Sequence, residues 1–351
     1  MIIGTCGFGS TGSSAVSDYL KEFDENCTLD RAEFTIVHCP DGLVDLEFHL
    51  MHPHSRVVDS NCALERFKYM IVKKRGKYLS KKMGISLKKL DAMTSEFVEK
   101  LTQVSWLGYQ NYTNSFIKEY IGGRLLYYKV LPFVQRHFNK NFTGYPLTSK
   151  RFSVKPENFY DESKSFIRNM LIHMGANYEK NIVLDQPFSG NNPAACFPFF
   201  EDPMAIVVDR DPRDNYVFAK TKLKGNINGF MPTENVHDFI KYYRALRDGQ
   251  PYKDANERIL RIQFEEMVYD YDIATEKIRS FLRLPENPRP KSIFDPALSV
   301  ANTQTFKRFP QFANEVAIIE QELSEYLFDF EKYPEPDLSG NMFFGKSPKN
   351  R

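Results

Sequence analysis

Apolar residues recur along the chain with two different periods, and the change from one to the other marks out the elements. Ile2 and Ile3 open a short apolar run, while Ala15, Val16, Tyr19 and Leu20 repeat at helical spacing, so the first twenty residues predict strand, glycine turn and helix, the helix beginning near Gly12-Ser13. Unbroken apolar runs of strand length return at Asn181-Ile-Val-Leu-Asp185 and Met204-Ala-Ile-Val-Val-Asp209, and Arg258-Ile-Leu-Arg-Ile262 reads as a further strand. A further run, Glu33-Phe-Thr-Ile-Val-His38, reads as the second strand of the set, which puts Glu33 at the start of a buried strand. Helical stripes cover Asp161 to Met174 and Ile273 to Leu284, the second ended by Pro285, and Leu43 to Leu50 is helical or extended. Buried strands interleaved with helices predict an α/β fold of three layers, with a central, mostly parallel sheet and helices on both faces.

Between those core elements the pattern changes. From Asn61 to about Gln103 it is helical and strongly basic, with lysines at 73, 74, 77, 81, 82, 88 and 89 among Phe67, Tyr69, Met70 and Tyr78. Such a run is either a solvated helix pair or a surface for an anionic acceptor. From Trp106 to Lys155 it is aromatic and poorly periodic, suited to a core, a lid or an acceptor wall. The expected organisation is one domain over 1–338, its core formed by about 1–43 and 161–338, with a helical insertion at about 44–160 and a polar tail at 339–351. At 351 residues and 42% hydrophobic the chain can bury a large core. A net charge of +2 argues against a wholesale nucleic-acid partner, so attraction for anions must be local. Five cysteines without CxxC or Cys/His spacing argue against a disulfide framework and a zinc site. No leader and no membrane-spanning run is visible, so the expected location is cytoplasmic. His38, His49, His52 and His54 read as turn or surface residues.

Two stretches carry chemistry. Gly9, Ser10, Thr11, Gly12, Ser13 and Ser14 place unpaired backbone N–H groups and hydroxyls at a helix start, which suits a phosphate or sulfate, the bland alternative being a tight strand-to-helix turn. The spacing Gly7-x4-Gly12-Ser13-Ser14 approaches the nucleotide-binding loop G-x-x-x-x-G-K-[ST], yet Ser13 stands where the lysine belongs. The second stretch is Val208-Asp-Arg-Asp-Pro-Arg-Asp214. Arg210 follows a buried strand, where α/β sheets bind ligands, and Pro212 suits a helix start. Asp209 could pass for a magnesium-binding aspartate, and Asp209, Asp211, Asp214, Arg210 and Arg213 could also simply pair with one another.

Together the loop Gly9–Ser14, the block Val208–Asp214, and Ile262-Gln-Phe-Glu-Glu-Met-Val268 followed by Lys277 to Leu284 resemble the sulfotransferases that use 3′-phosphoadenosine 5′-phosphosulfate, a P-loop-like fold. The resemblance covers most of the core and not the middle third. It implies that the loop holds the 5′-phosphosulfate and Arg210 the 3′-phosphate, with Arg213 beside it and no metal. The chain departs from the family at Ser10, usually lysine or arginine, and at Phe218, usually serine. Lys307 and Arg308, in a loop the family brings back over the nucleotide, are the candidate substitutes for the missing cation. For the base, Glu33 matches the glutamate of the glycan-modifying branch, and Asp185 the position of a histidine in the small-molecule branch. The expected acceptor is a carbohydrate, a lipid-linked one at a membrane surface included, in the manner of bacterial relatives. A degenerate nucleotide or glycan binder and a nucleotide phosphotransferase are the competing readings.

Overall fold

A computed structural model describes residues 1–29, 33–52, 59–109, 131–138, 147–222 and 231–333. His54, the tail and most of the aromatic stretch proposed as an acceptor wall, including Tyr112, Tyr120, Tyr127, Tyr128, Phe142 and Tyr145, lie outside the described residues. The chain divides into two compact units. The first comprises Met1–Phe34, Asn177–Phe197 and Asp202–Arg351, and the second Thr35–Ala176 and Pro198–Glu201.

The strands are β1 (Ile2–Gly7), β2 (Asn26–Leu29), β3 (Val104–Tyr109), β4 (Leu147–Phe152), β5 (Asn181–Asp185), β6 (Pro203–Asp209) and β7 (Ile259–Gln263). Five of them form one sheet in the first unit, in the order β2-β5-β1-β6-β7, and every pair is parallel. Both faces of the strands are apolar because both are covered, as the unbroken runs predict. Ile3, Ile206 and Val208 pack under Val16, Tyr19 and Leu20 of the helix Ser13–Leu20 and under Met267 and Ile278 of the helices Phe264–Tyr269 and Tyr271–Leu282. Asp209, one residue on and therefore on the opposite face, meets Arg247 of the helix Val236–Arg247. That helix packs with Pro212–Lys222 and Ala313–Glu322 through Tyr216, Phe239, Tyr243 and Ile319.

The second strand is not where the apolar run suggests. Residues 35–38 form a turn, and β2 is Asn26–Leu29. The Cys39 N–H donates to the Thr35 carbonyl, so one helical turn rather than a ladder satisfies this backbone. Phe34, Ile36 and Val37 are buried all the same, which is what the run was reporting. Glu33 is consequently exposed in an irregular segment and does not open a buried strand.

The second unit is helical, with an antiparallel pair β3–β4. Its helices Asp59–Tyr69, Leu87–Leu101 and Phe159–Met174 meet through Phe67, Phe97 and Phe166, whose ring centroids lie 4.7 to 5.9 Å apart. No described helix is long and apolar enough to cross a membrane.

Candidate anion site at the carboxyl ends of the strands

The sheet order creates a crevice. From β1 the chain travels to β2 on one side, and from β6 to β7 on the other, so the connections leaving these neighbouring strands diverge at their carboxyl ends. The glycine loop follows β1 at this point. Gly9, Ser10 and Gly12 take φ of 83°, 56° and 89°, a left-handed sequence that turns the chain sharply into the helix Ser13–Leu20. The Phe8 N–H donates to Thr11 Oγ1 at 3.2 Å, which closes the turn from within. Among the described residues, the backbone N–H groups of Ser10, Thr11, Gly12, Ser13 and Ser14 have no acceptor in the chain. A run of donors at a helix start, with no side-chain cap, is chemically an anion site. Gly12 is doubly constrained, because a Cβ there would stand 2.5 Å from the Phe264 ring.

Gln186 braces the loop from the end of β5. Its backbone adopts φ 53°, its Oε1 accepts from Gly7 N–H at 3.3 Å, and its Nε2 donates to Ser13 Oγ at 3.0 Å. Ser13, accepting from that amide, keeps its own hydroxyl proton to donate.

The Val208–Asp214 block is a network of pairs with Arg210 at its centre. Asp209 is gripped by Arg247 through two bonds of 2.6 and 2.7 Å and also receives the Tyr252 hydroxyl at 3.2 Å. Its carboxylate is thereby committed to a guanidinium, and the magnesium-aspartate reading loses its residue. Asp211 holds Arg213 at 2.7 to 2.9 Å, and Arg213 reaches on to Glu320 and the Phe328 carbonyl. Burial opposes the Arg213 charge, but the bonds to Asp211 outweigh it and raise the pKa further. Arg210 is 4% exposed and sits over the rings of Phe218 and Phe264. It donates to the Ser10 carbonyl at 3.1 Å and to the Asn302 carbonyl, so it ties the loop to the segment near Thr303. Its Nε is buried with no partner among the described residues. Phe218 therefore forms a platform for this guanidinium.

Two buried acids stand behind Arg210. Glu265 accepts from the Asp211 N–H at 3.2 Å, and Asp214 from the Thr305 hydroxyl at 2.7 Å and the Phe306 N–H at 3.2 Å. Each has its second oxygen buried without a partner among the described residues. Burial, with repulsion from Asp211, holds both carboxyls above the usual carboxylate range despite the opposing pull of Arg210.

Solved structures offer a likeness here. The chain is similar to the sulfotransferase domain of an olefin synthase from Synechococcus, at 12% identity and a TM-score of 0.36 over 84% of this chain and 77% of that one. It is similar to the sulfotransferase domain of the curacin biosynthetic pathway, at 12% identity and 0.37 over 93% and 98%, and to a sulfotransferase from Mycobacterium avium, at 12% and 0.36 over 97% and 78%. No protein-family model and no curated protein matches the sequence. The chemistry is therefore read from the residues of the site.

Of the residues expected there, Gly9 to Ser14 and Arg210 come together directly, joined through Ser10. Glu33 and Asp185 also become neighbours, because the Phe34 N–H donates to the Asp185 carbonyl at 2.7 Å at the end of β5. Lys307 is exposed on a short 3-10 turn, Thr305–Arg308, that is fastened to the helix Pro212–Lys222 through Asp214. Gln186, Glu265 and Arg247 escaped the sequence reading. Gln186 carried a signal, since it follows a buried strand directly before Pro187. Arg247 carried none, lying 38 residues from its partner in a stretch without a motif.

Proposed function

We propose that the protein transfers a sulfuryl group from 3′-phosphoadenosine 5′-phosphosulfate to a hydroxyl of a carbohydrate, in the cytoplasm and with lipid-linked acceptors at a membrane surface within its range. The observation that carries this reading is the run of five backbone N–H groups without an acceptor, from Ser10 to Ser14, at a helix start in the crevice beside β6. These residues fit the phosphosulfate end of the donor, which supplies the sulfuryl group. Arg210 fits the 3′-phosphate on one condition. It must exchange the Ser10 or Asn302 carbonyl for phosphate oxygen, and an anionic acceptor makes the stronger bond to a guanidinium. Arg213, fastened by Asp211, holds the end of β6 in place, while Lys307 and Arg308 are assigned to the charge that Ser10 lacks. The acceptor hydroxyl gives its proton to Glu33 or to Asp185.

Calorimetry with adenosine 3′,5′-bisphosphate, compared with ADP and GDP, tests the reading. Preference for the doubly phosphorylated ligand supports it, and preference for ADP or GDP sinks it. Transfer of labelled sulfate to a panel of oligosaccharides then separates the bases. Glu33→Gln is expected to lower turnover by ~100-fold or more with donor affinity intact, whereas a dead Asp185→Asn beside a fully active Glu33→Gln would move the role to Asp185.

A further inference from the structure

The second unit carries a surface that the transfer reading does not use. Between Glu65 and Asp91 the chain has no acidic residue and ten basic ones. Some of these are engaged: Arg66 and Lys74 with Asp41, Lys68 with Asp91, and Arg75 with the Thr35 hydroxyl and Cys39. Lys73, Lys77, Lys81, Lys88 and Lys89 are exposed and have no carboxylate partner among the described residues. The helix Gly76–Met83 buries Gly76, Leu79 and Met83 and turns Lys77, Tyr78, Lys81 and Lys82 outward on one continuous arc. It meets the next helix, Leu87–Leu101, at a tight corner. There the Ile85 N–H donates to the Ser80 carbonyl, and the Leu87 side chain lies against Gly76.

Two further features mark this corner. Tyr78 and Leu87 remain 41% and 43% exposed among the lysines, so the patch has an apolar centre as well as a charged rim. The first turn of Leu87–Leu101 holds Lys88 and Lys89 and no acid, the wrong sign for a helix N-terminus. An anion bound there would relieve that repulsion.

We propose that this corner docks the protein on an anionic phospholipid surface, with the lysines against the headgroups and Tyr78 and Leu87 at the headgroup boundary. Nucleic acid is the weaker match. The arginines of the segment, which could read phosphates or bases with a planar fork, are turned to Asp41, Thr35 and Cys39, and the exposed cations are point-charge lysines around an apolar centre. The inference stands on this surface alone and is independent of the transfer reading.

Co-sedimentation of the full chain with vesicles tests it, using phosphatidylcholine alone and phosphatidylcholine with about 30 mol % phosphatidylglycerol, at low and high salt. Binding is expected only to the anionic vesicles and is expected to vanish at high salt. The combined variant Lys77→Gln, Lys81→Gln, Lys88→Gln, Lys89→Gln should bind on the order of a hundredfold more weakly. A control variant neutralising the exposed Lys180, Lys241, Lys253 and Lys332 should bind as the parent does, and both variants should keep the parent's affinity for adenosine 3′,5′-bisphosphate. Equal binding to neutral vesicles, unchanged binding by the four-lysine variant, or binding to a DNA duplex but to neither vesicle overturns the proposal.

Discussion

The cations of the two units are arranged in opposite ways. Around β6 they are arginines, buried and committed: Arg247 to Asp209, Arg213 to Asp211 and Glu320, Arg210 to two backbone carbonyls. On the helices from Met70 to Lys89 they are mainly lysines, and those at 73, 77, 81, 88 and 89 face solvent with no carboxylate partner among the described residues. A guanidinium is weakly hydrated and forms several directed bonds at once, so it can be buried where an ammonium would lose too much hydration. Lysine on a surface keeps its water and offers its charge to whatever arrives. The first set holds the site in shape, and the second presents a field.

The sharpest way to break that contrast is to remove one member of a buried pair. Arg247→Ala leaves the buried Asp209 without its counter-ion, and a loss of about 3–5 kcal/mol is expected in chemical denaturation. Combining Arg247→Met with Asp209→Leu should recover most of it, because the loss comes from an uncompensated charge rather than from missing attraction. A double variant as unstable as the single would show that the Tyr243 and Tyr252 hydroxyls, which also lean on Asp209, matter more than the charge.

Arg210 is the arginine to which the proposed transfer gives a second task. Arg210→Ala should weaken adenosine 3′,5′-bisphosphate by about 2–3 kcal/mol, through loss of a charge-assisted contact, and leave AMP nearly unchanged. Equal weakening of both ligands in calorimetry would make Arg210 a strut for the Ser10 loop and nothing more.

Much of this was legible from residue order, and the failures have one cause. The strands β5 and β6 show as unbroken apolar runs because both sheet faces are covered there, β1 and the edge strand β7 show as shorter ones, and the loop shows because Gly9 and Gly12 sit where the chain needs left-handed backbone. The run Phe34–Val37 misled, because burial in a turn and burial in a strand leave the same apolar signature over four residues. The network around Arg210 was legible only as a list of members. Which acid meets which arginine depends on the helix Val236–Arg247 and on Glu265 in the first turn of the helix Phe264–Tyr269, and neither is near the block in sequence.

The protons on the buried acids distinguish the two regions next. Glu265 is raised well above its ordinary 4.5 by burial and by Asp211, so the folded protein binds this proton more tightly than the unfolded chain does. Its contribution is therefore fully present below 4.5 and is lost as pH rises through the folded value, at up to about 1.4 kcal/mol per pH unit. Glu265→Gln should flatten that fall in stability between acid and neutral pH. A parent whose stability is level across the range, or a variant with the parent's slope, would place the proton elsewhere.

The smallest effect belongs to the exposed lysines, and its sign is informative. Substituting Lys88→Glu and Lys89→Glu puts acids at the first turn of Leu87–Leu101, where the helix dipole favours them, and Ser86 Oγ already accepts from the Lys89 N–H to cap it. The helix should gain about 0.3–1 kcal/mol, seen as a small rise in melting temperature at low salt that fades as salt screens the dipole. That gain would mean the natural sequence holds its lysines there against the preference of its own helix, which structure alone does not require. A fall in melting temperature would mean that Lys88 and Lys89 support the fold after all, and the contrast between committed arginines and available lysines would not extend to this helix.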